Sequence, residues 1–370
     1  MDEAFAYADE IGPAKVIHVY EPSIGLRGTL VVDNVATGPS IGGMRMAPDV
    51  STEECFRLAR SMTLKNAAAG LPHGGGKSVL YGDPAMPIER KEAFIRGFAY
   101  ALRNEADYIF GPDMGTDENC MAWVCEEVGR AVGLPRELGG IPLDELGATG
   151  FGLRHAAEVA AEHLDFELAG ARVVVQGFGA VGIHAARFLA AQGCLIVAAS
   201  DSKGGVASEQ GLDAAALIAH KQAGQQVNDF EGGDPIGADE MLALECEIWI
   251  PAARPDVIND DNADRVRARA VVPGANIPMT TGAEKRLHER GILCVPDFIA
   301  NAGGVICAAM EYHGSTQSSA FDAIAERIRA NTEEVIQTSK QRGTLPRQAA
   351  ADISVQRVKA AMGFRRWSIF

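Results

Sequence analysis

The stretch RVVVQGFGAVGIHAARFLAAQGCLIVAASDSKGG, residues 172–205, constrains the fold of this chain more than any other. A run of β-branched residues ends in a turn with glycine at 177, 179 and 182, and a helical pattern follows. Gly177 permits the tight turn, Gly179 lets the backbone approach a pyrophosphate, and Gly182 allows close helix–strand packing. Phe178, Ala180 and Val181 fill the positions between them and carry the chain into the helix. The helix N-terminus then offers unpaired N–H groups to a phosphate. A second apolar strand ends at Asp201, about where an acid binds the adenosine ribose hydroxyls. These residues predict a Rossmann-type turn holding NAD. Ser202 and Lys203 follow at once and could hydrogen-bond a 2′-phosphate, which leaves NADP open.

Beyond this turn, EIWI, AVVPG and ILCV continue a strand–helix alternation, as expected of a parallel sheet covered on both faces. Earlier in the chain, KVIHVY (15–20), LRGTLVVD (26–33), SVLYG (78–82) and YIFG (108–111) read as strands. A helix is expected from Thr52, behind an acidic first turn, to Gly70. The Gly- and Pro-dense segment 133–150 reads as a connection between domains. The expected fold is α/β in two domains, an α/β substrate domain over 1–145 and a doubly wound dinucleotide-binding domain over 146–340. At 370 residues, two cores are the default.

The net charge of −15 argues against nucleic acid as a partner, because the chain would repel a phosphate backbone. The seven cysteines are scattered without a C-x-x-C pair, as in a reduced cytosolic protein. No Cys/His cluster has metal-ligand spacing, so no metal is expected. The acidic start lacks a signal peptide, and no apolar run is long enough to span a bilayer. A soluble, cytoplasmic protein with no membrane partner is expected.

A second candidate site lies at GLPHGGGKSVL, residues 70–80. Lys77 after three glycines resembles a P-loop, but that motif needs glycine at 71, which is Leu71. Lys65, twelve residues earlier in MTLKNAAA, sits in similarly apolar surroundings. Most lysines are ordinary surface residues. Lysines that lose hydration have a lowered pKa and can serve as anion or carbonyl sites. The three glycines are expected to leave space for a substrate to approach Lys77. His73 in the same stretch reads as structural.

GGMRMAPDVSTEECFRLARSMTLKNAAAGLPHGGGKSVLYGDP, then GPDMGT, GFGAVG, PGAN and PDFIANAGGV, resemble the glutamate/leucine/phenylalanine/valine dehydrogenases. The likeness runs from about residue 25 to 315 with the motifs in order. It implies a substrate domain and a Rossmann domain separated by a cleft, with the last helix, about 340–370, packing back on the first domain. It also implies oxidative deamination of an L-amino acid to a 2-oxo acid and ammonia with NAD(P), its reversal, and a homo-oligomer.

Residue by residue, the resemblance makes Lys65 the partner of the substrate α-carboxylate and Lys77 the catalytic lysine. Asp113, in GPDMG, becomes the proton carrier. Asn276 in PGAN and Asn301 in NAGG match residues near the substrate and the nicotinamide end of the cofactor. Thr149 in GATG matches the threonine at the carboxamide, and Ala252 and Ala253 match the stretch on the adenosine side. Gly42 and Gly43 belong to the substrate-binding GGxR motif.

The glutamate enzymes carry a lysine just before those glycines and a serine seven residues after the Asn of NAGG. Here these positions are Ile41 and Ala308. An unpaired carboxylate in a closed site is costly, so the expected substrate has an apolar side chain, like leucine, valine or phenylalanine. The alternatives are a glutamate dehydrogenase with a different side-chain anchor, or a non-catalytic dinucleotide-binding regulator. The second half is more similar to the glutamate enzymes, and the compact first domain to the leucine and phenylalanine ones.

Overall fold

A computed structural model describes residues 5–364. The chain divides into two compact units. The first comprises residues up to Pro142, Val305–Ala320 and the chain from Ala351; the second comprises Leu143–Gly304 and Phe321–Ala350.

The first unit is built on five strands: β1 (Lys15–Glu21), β2 (Leu26–Asn34), β3 (Ser40–Ala47), β4 (Gly74–Tyr81) and β5 (Tyr108–Pro112). Their order is β1-β2-β4-β3-β5. The β1–β2 and β2–β4 pairs are antiparallel, and β3 lies parallel to both β4 and β5. Period-two alternation sends Leu30, Met44, Met46 and Leu80 into a core with Phe94, Phe98 and Met121 from helices Ile88–Ala101 and Glu118–Val128. Val31 and Val79 point the other way and pack with Cys55 and Ala59 of helix Thr52–Ala68. That helix starts at Ser51, whose side chain accepts from the Glu54 N–H, with Glu53 and Glu54 in the first turn and Lys65 in the last. This charge order suits the helix dipole.

Strand β3 is absent from the sequence reading. Its SIGGMRMA carries two glycines, and glycine scores poorly as a strand former. The expected strand 78–82 also begins earlier, at Gly74, so Gly74, Gly75 and Gly76 belong to β4 and not to an open loop. They are buried, and a Cβ on Gly75 would lie 2.0 Å from the Thr63 nitrogen in helix Thr52–Ala68. One on Gly42 would lie 1.8 Å from the Gly76 carbonyl oxygen. The expectation that the glycines clear space for substrate is thereby corrected: they let a helix and a neighbouring strand pack against the β4 backbone.

The second unit holds β6 (Arg172–Gln176), β7 (Leu195–Ser200), β8 (Gly205–Ala207), β9 (Asp234–Ile236), β10 (Cys246–Pro251), β11 (Ala268–Val271) and β12 (Leu293–Cys294). Their order is β12-β11-β10-β6-β7-β8-β9. The five strands expected from sequence are mutually parallel, whereas β8 and β9 add an antiparallel edge too short to show in a pattern of apolar residues. The chain leaves β6 toward β7 and later returns to the other side of β6 as β10. The carboxyl ends of β6 and β10 therefore form a topological switch point, the place where open α/β sheets bind ligands.

Residues 305–320 group with the first unit, unlike the boundary expected from sequence. The Glu311 carboxylate accepts from the backbone N–H groups of Leu134 and Ile141 at 3.1 and 2.8 Å, contacts that no local pattern announces. Helix Pro346–Phe364 passes from the second unit to the first at Ala351. There Arg357 donates to the carbonyls of Ala67 and Ala68, at 3.0 and 2.7 Å. The expected extension of this helix to 370 runs past the described residues.

Candidate active site

In the first unit, parallel pairing of β3 with β4 and β5 places Gly43, Lys77 and Asp113 side by side. The Lys77 ammonium pairs with Asp113 Oδ2. A Cβ on Gly43 would lie 2.8 Å from the Asp113 Cβ, so a side chain there would displace the carboxylate. Arg45 reaches Asp113 Oδ1 at 3.3 Å and holds Glu54 at 2.6 Å. Met114 N–H donates to Asp113 Oδ1 at 2.6 Å, and the Asp113 N–H donates to Thr116 Oγ1 at 3.0 Å.

Lys77 is 5% exposed, and burial, followed by the positive charge of Arg45 and then of Lys65, pushes its pKa down to about 7. Lys65 thus adds to the positive field at Lys77. A lysine poised there can carry a proton near neutral pH, as acid–base chemistry requires. We expect kcat/KM for amino-acid oxidation to rise with pH through an inflection near 7, as Lys77 loses its proton and becomes able to accept one. A pH–rate profile checks this.

Ile41 lies on β3, opposite Gly75 and Ile109, and is buried. Ala308 is buried on helix Gly303–Tyr312. His73 is buried as well: Nδ1 lies 3.0 Å from the Pro39 carbonyl and Nε2 lies 3.0 Å from His313 Nε2. The carbonyl can only accept, so Nδ1 carries the proton and Nε2 accepts from His313. Burial drives the His73 pKa down to about 4, which keeps the ring neutral. Its role is to tie the 70–74 segment to the chain at 313.

In the second unit, a cavity of about 780 Å³ is lined by Gly177, Phe178, Gly179, Asp201, Ser202, Ala252 and Ala253. The cradle is glycine-dependent. Gly177 has φ +95°, and a Cβ there would lie 2.7 Å from the Ala252 carbonyl carbon. One on Gly182 would lie 1.8 Å from the Gly177 oxygen, whereas the corresponding space at Gly179 is open. Helix Ala180–Ala190 begins with Ala180, Val181 and Gly182 and has no side-chain cap, so its first-turn N–H groups are available to a phosphate. These residues fit a dinucleotide.

Asp201 is more engaged than its sequence position suggests. Its Oδ1 accepts from Lys203 N–H at 2.8 Å, and its Oδ2 accepts from Lys221 Nζ at 2.5 Å and Val227 N–H at 3.1 Å. Desolvation opposes its ionisation, but the hydrogen bond from Lys221 and the two backbone donors prevail and hold the carboxyl below its ordinary pKa. Lys221 and Arg254 also line the cavity, and sequence reasoning missed both. Lys221 lies twenty residues past Asp201, near the end of helix Ala214–Gln222, at an offset no local motif specifies.

Asn276 and Asn301 are brought together, with Asn301 Nδ2 donating to Asn276 Oδ1 at 2.9 Å. Thr149 lies in the first turn of helix Ala148–Leu164, beside Gly303 and Gly304. Arg45 and Glu54 are further residues whose site contacts the sequence left unread. Among the described residues, no helix is long and apolar enough to cross a membrane.

The sequence profile of the Glutamate/Leucine/Phenylalanine/Valine dehydrogenases matches residues 139–366, and that of their dimerisation domain matches residues 13–130. The chain is 37% identical to the glutamate dehydrogenase of Aeropyrum pernix, covering 90% of this chain and 85% of the relative. It is 36% identical to the NADP(+)-dependent glutamate dehydrogenase of Pyrobaculum calidifontis, over 92% and 86% of the two chains. Among solved structures, it superposes on hetero-hexameric glutamate dehydrogenase from Thermus thermophilus (Leu-bound form) with a TM-score of 0.83 and 29% identity, covering 97% and 91%. Both the matched profiles and the two-sheet fold therefore agree with the site chemistry: the chain belongs to the glutamate/leucine/phenylalanine/valine dehydrogenase family and is an NAD(P)-dependent amino-acid dehydrogenase.

Proposed function

We propose that the chain oxidatively deaminates L-glutamate to 2-oxoglutarate and ammonia and catalyses the reverse amination. The observation that carries this reading is its identity of 36–38% with four glutamate dehydrogenases. Lys65 pairs with the α-carboxylate. Asp113 takes a proton from the substrate ammonium, so that nitrogen has a lone pair to form the imine. NAD(P), held along Gly177–Gly182 and Asp201, supplies the acceptor for the Cα hydride. Neutral Lys77 then takes a proton from the water that adds to the imine carbon, and Asp113 returns its proton to the nitrogen. As the C–N bond breaks, the hydroxyl proton passes to the leaving ammonia, which gives the 2-oxo acid and ammonium, and Lys77 releases its proton to solvent. Thr149, Asn276 and Asn301 serve the nicotinamide end, and Ala252 and Ala253 the adenosine side.

A second reading has a specific observation behind it. Ile41 and Ala308 are buried and carry no charge where the glutamate enzymes have lysine and serine, which favours an apolar substrate side chain. Measuring kcat/KM for L-glutamate, L-leucine, L-valine and L-phenylalanine decides between them. Preference for glutamate requires a side-chain anchor other than position 41, and preference for leucine or valine overturns the glutamate reading.

The three cations Lys203, Lys221 and Arg254 around Asp201, whose carboxylate is ion-paired with Lys221, favour NADP over NAD. Replacing Lys221 with Ala removes one cation and releases the Asp201 carboxylate. The Kd for NADPH should rise about tenfold or more, the value of one charge-assisted hydrogen bond, with NADH changed about threefold or less. Fluorescence titration of each reduced cofactor measures it. The dimerisation-domain match and the hexameric neighbour support self-association, and the composition supports a cytoplasmic location.

A further inference from the structure

The backbone just after Asn276 is held by a relay of polar groups that begins on a helix distant in sequence. The next residue, Ile277, has φ +49°, a left-handed conformation that a β-branched residue rarely adopts. Its side chain is exposed, so core packing does not impose the conformation. Hydrogen bonds hold the segment instead. The Ile277 N–H donates to Asp297 Oδ2 at 2.7 Å, and the Ile277 carbonyl accepts from Asp256 N–H at 2.9 Å. Pro278 carbonyl accepts from Ile258 N–H at 3.0 Å.

Asp297 is buried, and its other oxygen faces Arg347 Nη1 at 2.8 Å. Arg347 Nε in turn donates to the buried Glu284 at 2.6 Å. Two buried carboxylates thus share one guanidinium, Glu284 through a hydrogen bond and Asp297 through ion pairing, which leaves the second oxygen of Asp297 facing the 277 amide. That oxygen meets the amide immediately after Asn276.

We propose that Asp297 and Arg347 are positioning residues, which keep Ile277 left-handed and thereby aim the Asn276 side chain at the reacting end of the site. The inference rests on the role proposed above for Asn276. Both act through the 276–278 backbone and not by contact with substrate or cofactor.

The test compares wild type with Asp297→Ala, and with Asp297→Ala combined with Ile277→Gly. Glycine holds a left-handed φ without strain. In Asp297→Ala, hydrogen exchange at the Ile277 amide should accelerate about tenfold or more, confined to 274–279. The kcat should fall about 10- to 100-fold, as expected when a reacting group is misplaced by about an ångström. The Kd for NADPH should stay within about threefold, because the Gly177–Asp201 cavity is left intact. The added glycine should restore about tenfold of the lost kcat.

Unchanged kcat alongside accelerated exchange overturns the proposal. So does accelerated exchange throughout the second unit, with kcat and cofactor affinity lost together and no rescue by glycine. If Asp297→Ala does not fold, Asp297→Asn keeps the side-chain shape while losing the charge and is judged by the same readouts. Wild type inactive on every amino acid would refute the proposed function, while exchange at Ile277 and cofactor binding would still report on the clamp.

Discussion

Replacing Lys77 with Ala should lower kcat by about 10³-fold, within the roughly 10²–10⁴ that proton transfer by a positioned side chain contributes. Affinity for NADPH should stay within about threefold, because the dinucleotide cavity is built from residues 176–254 of the second unit. Lys77 is held at the site by β4, and Cys55 Sγ contacts its carbonyl at 3.2 Å, so the backbone position should survive loss of the side chain. Asp113→Asn should show a comparable loss. The double variant should be little worse than either single one, as residues acting as a unit are strongly non-additive. Steady-state kinetics and fluorescence titration on the three variants measure these effects. Loss of cofactor affinity together with turnover would mean that Lys77 serves the integrity of the chain and not the chemistry.

The second large effect concerns stability. Gly75→Ala should destabilise the first unit by about 2–3 kcal/mol or more, the upper range for forcing an extra methyl into a packed interior. The methyl would meet the Thr63 backbone nitrogen at 2.0 Å and its Cα at 2.4 Å, atoms that cannot rotate away. Gly76→Ala should cost less, because the atoms it meets, the Ser40 hydroxyl at 2.8 Å and the Tyr108 ring edge at 2.9 Å, are side-chain atoms and lie farther off. Denaturant midpoints for the two variants test the ranking. Equal midpoints would remove the packing explanation for the glycines of β4.

These two cases mark where the sequence was readable. The turn at 177–182 could be read because its requirements are local: a strand, glycines at fixed offsets and a helix N-terminus all fall within a dozen residues. Lys77 and Asp113 were identified through resemblance, and their pairing emerges only when β3 lies between β4 and β5. Strand β3 itself went unread because Gly42 and Gly43 lower its strand signal, although they are there to admit the Gly76 carbonyl and the Asp113 side chain. Glycine in a sequence says that something comes close, but not whether it is a ligand or the protein's own backbone. Lys221 stayed hidden for a related reason. Its meeting with Asp201 depends on where helix Ala214–Gln222 packs, which is a tertiary property.

The substrate question has the same character. Ile41 and Ala308 state which charges are missing from two positions, and an anchor elsewhere leaves no local mark. Relatedness to the glutamate enzymes and the apolar character of these two positions point in different directions, and the substrate panel resolves them.

Hydride transfer from the Cα of an L-amino acid to NAD(P), with Lys77 and Asp113 handling protons, is open to direct measurement. Its most direct test is to supply L-glutamate, and in parallel L-leucine, deuterated at Cα, together with NADP⁺ or NAD⁺, and to weigh the reduced cofactor by mass spectrometry. One deuterium is expected in the reduced cofactor formed by wild type with the accepted amino acid, and no reduced cofactor above background with Lys77→Ala. Reduced cofactor without deuterium, no reduction with any L-amino acid, or full deuterium transfer by Lys77→Ala would contradict this mechanism.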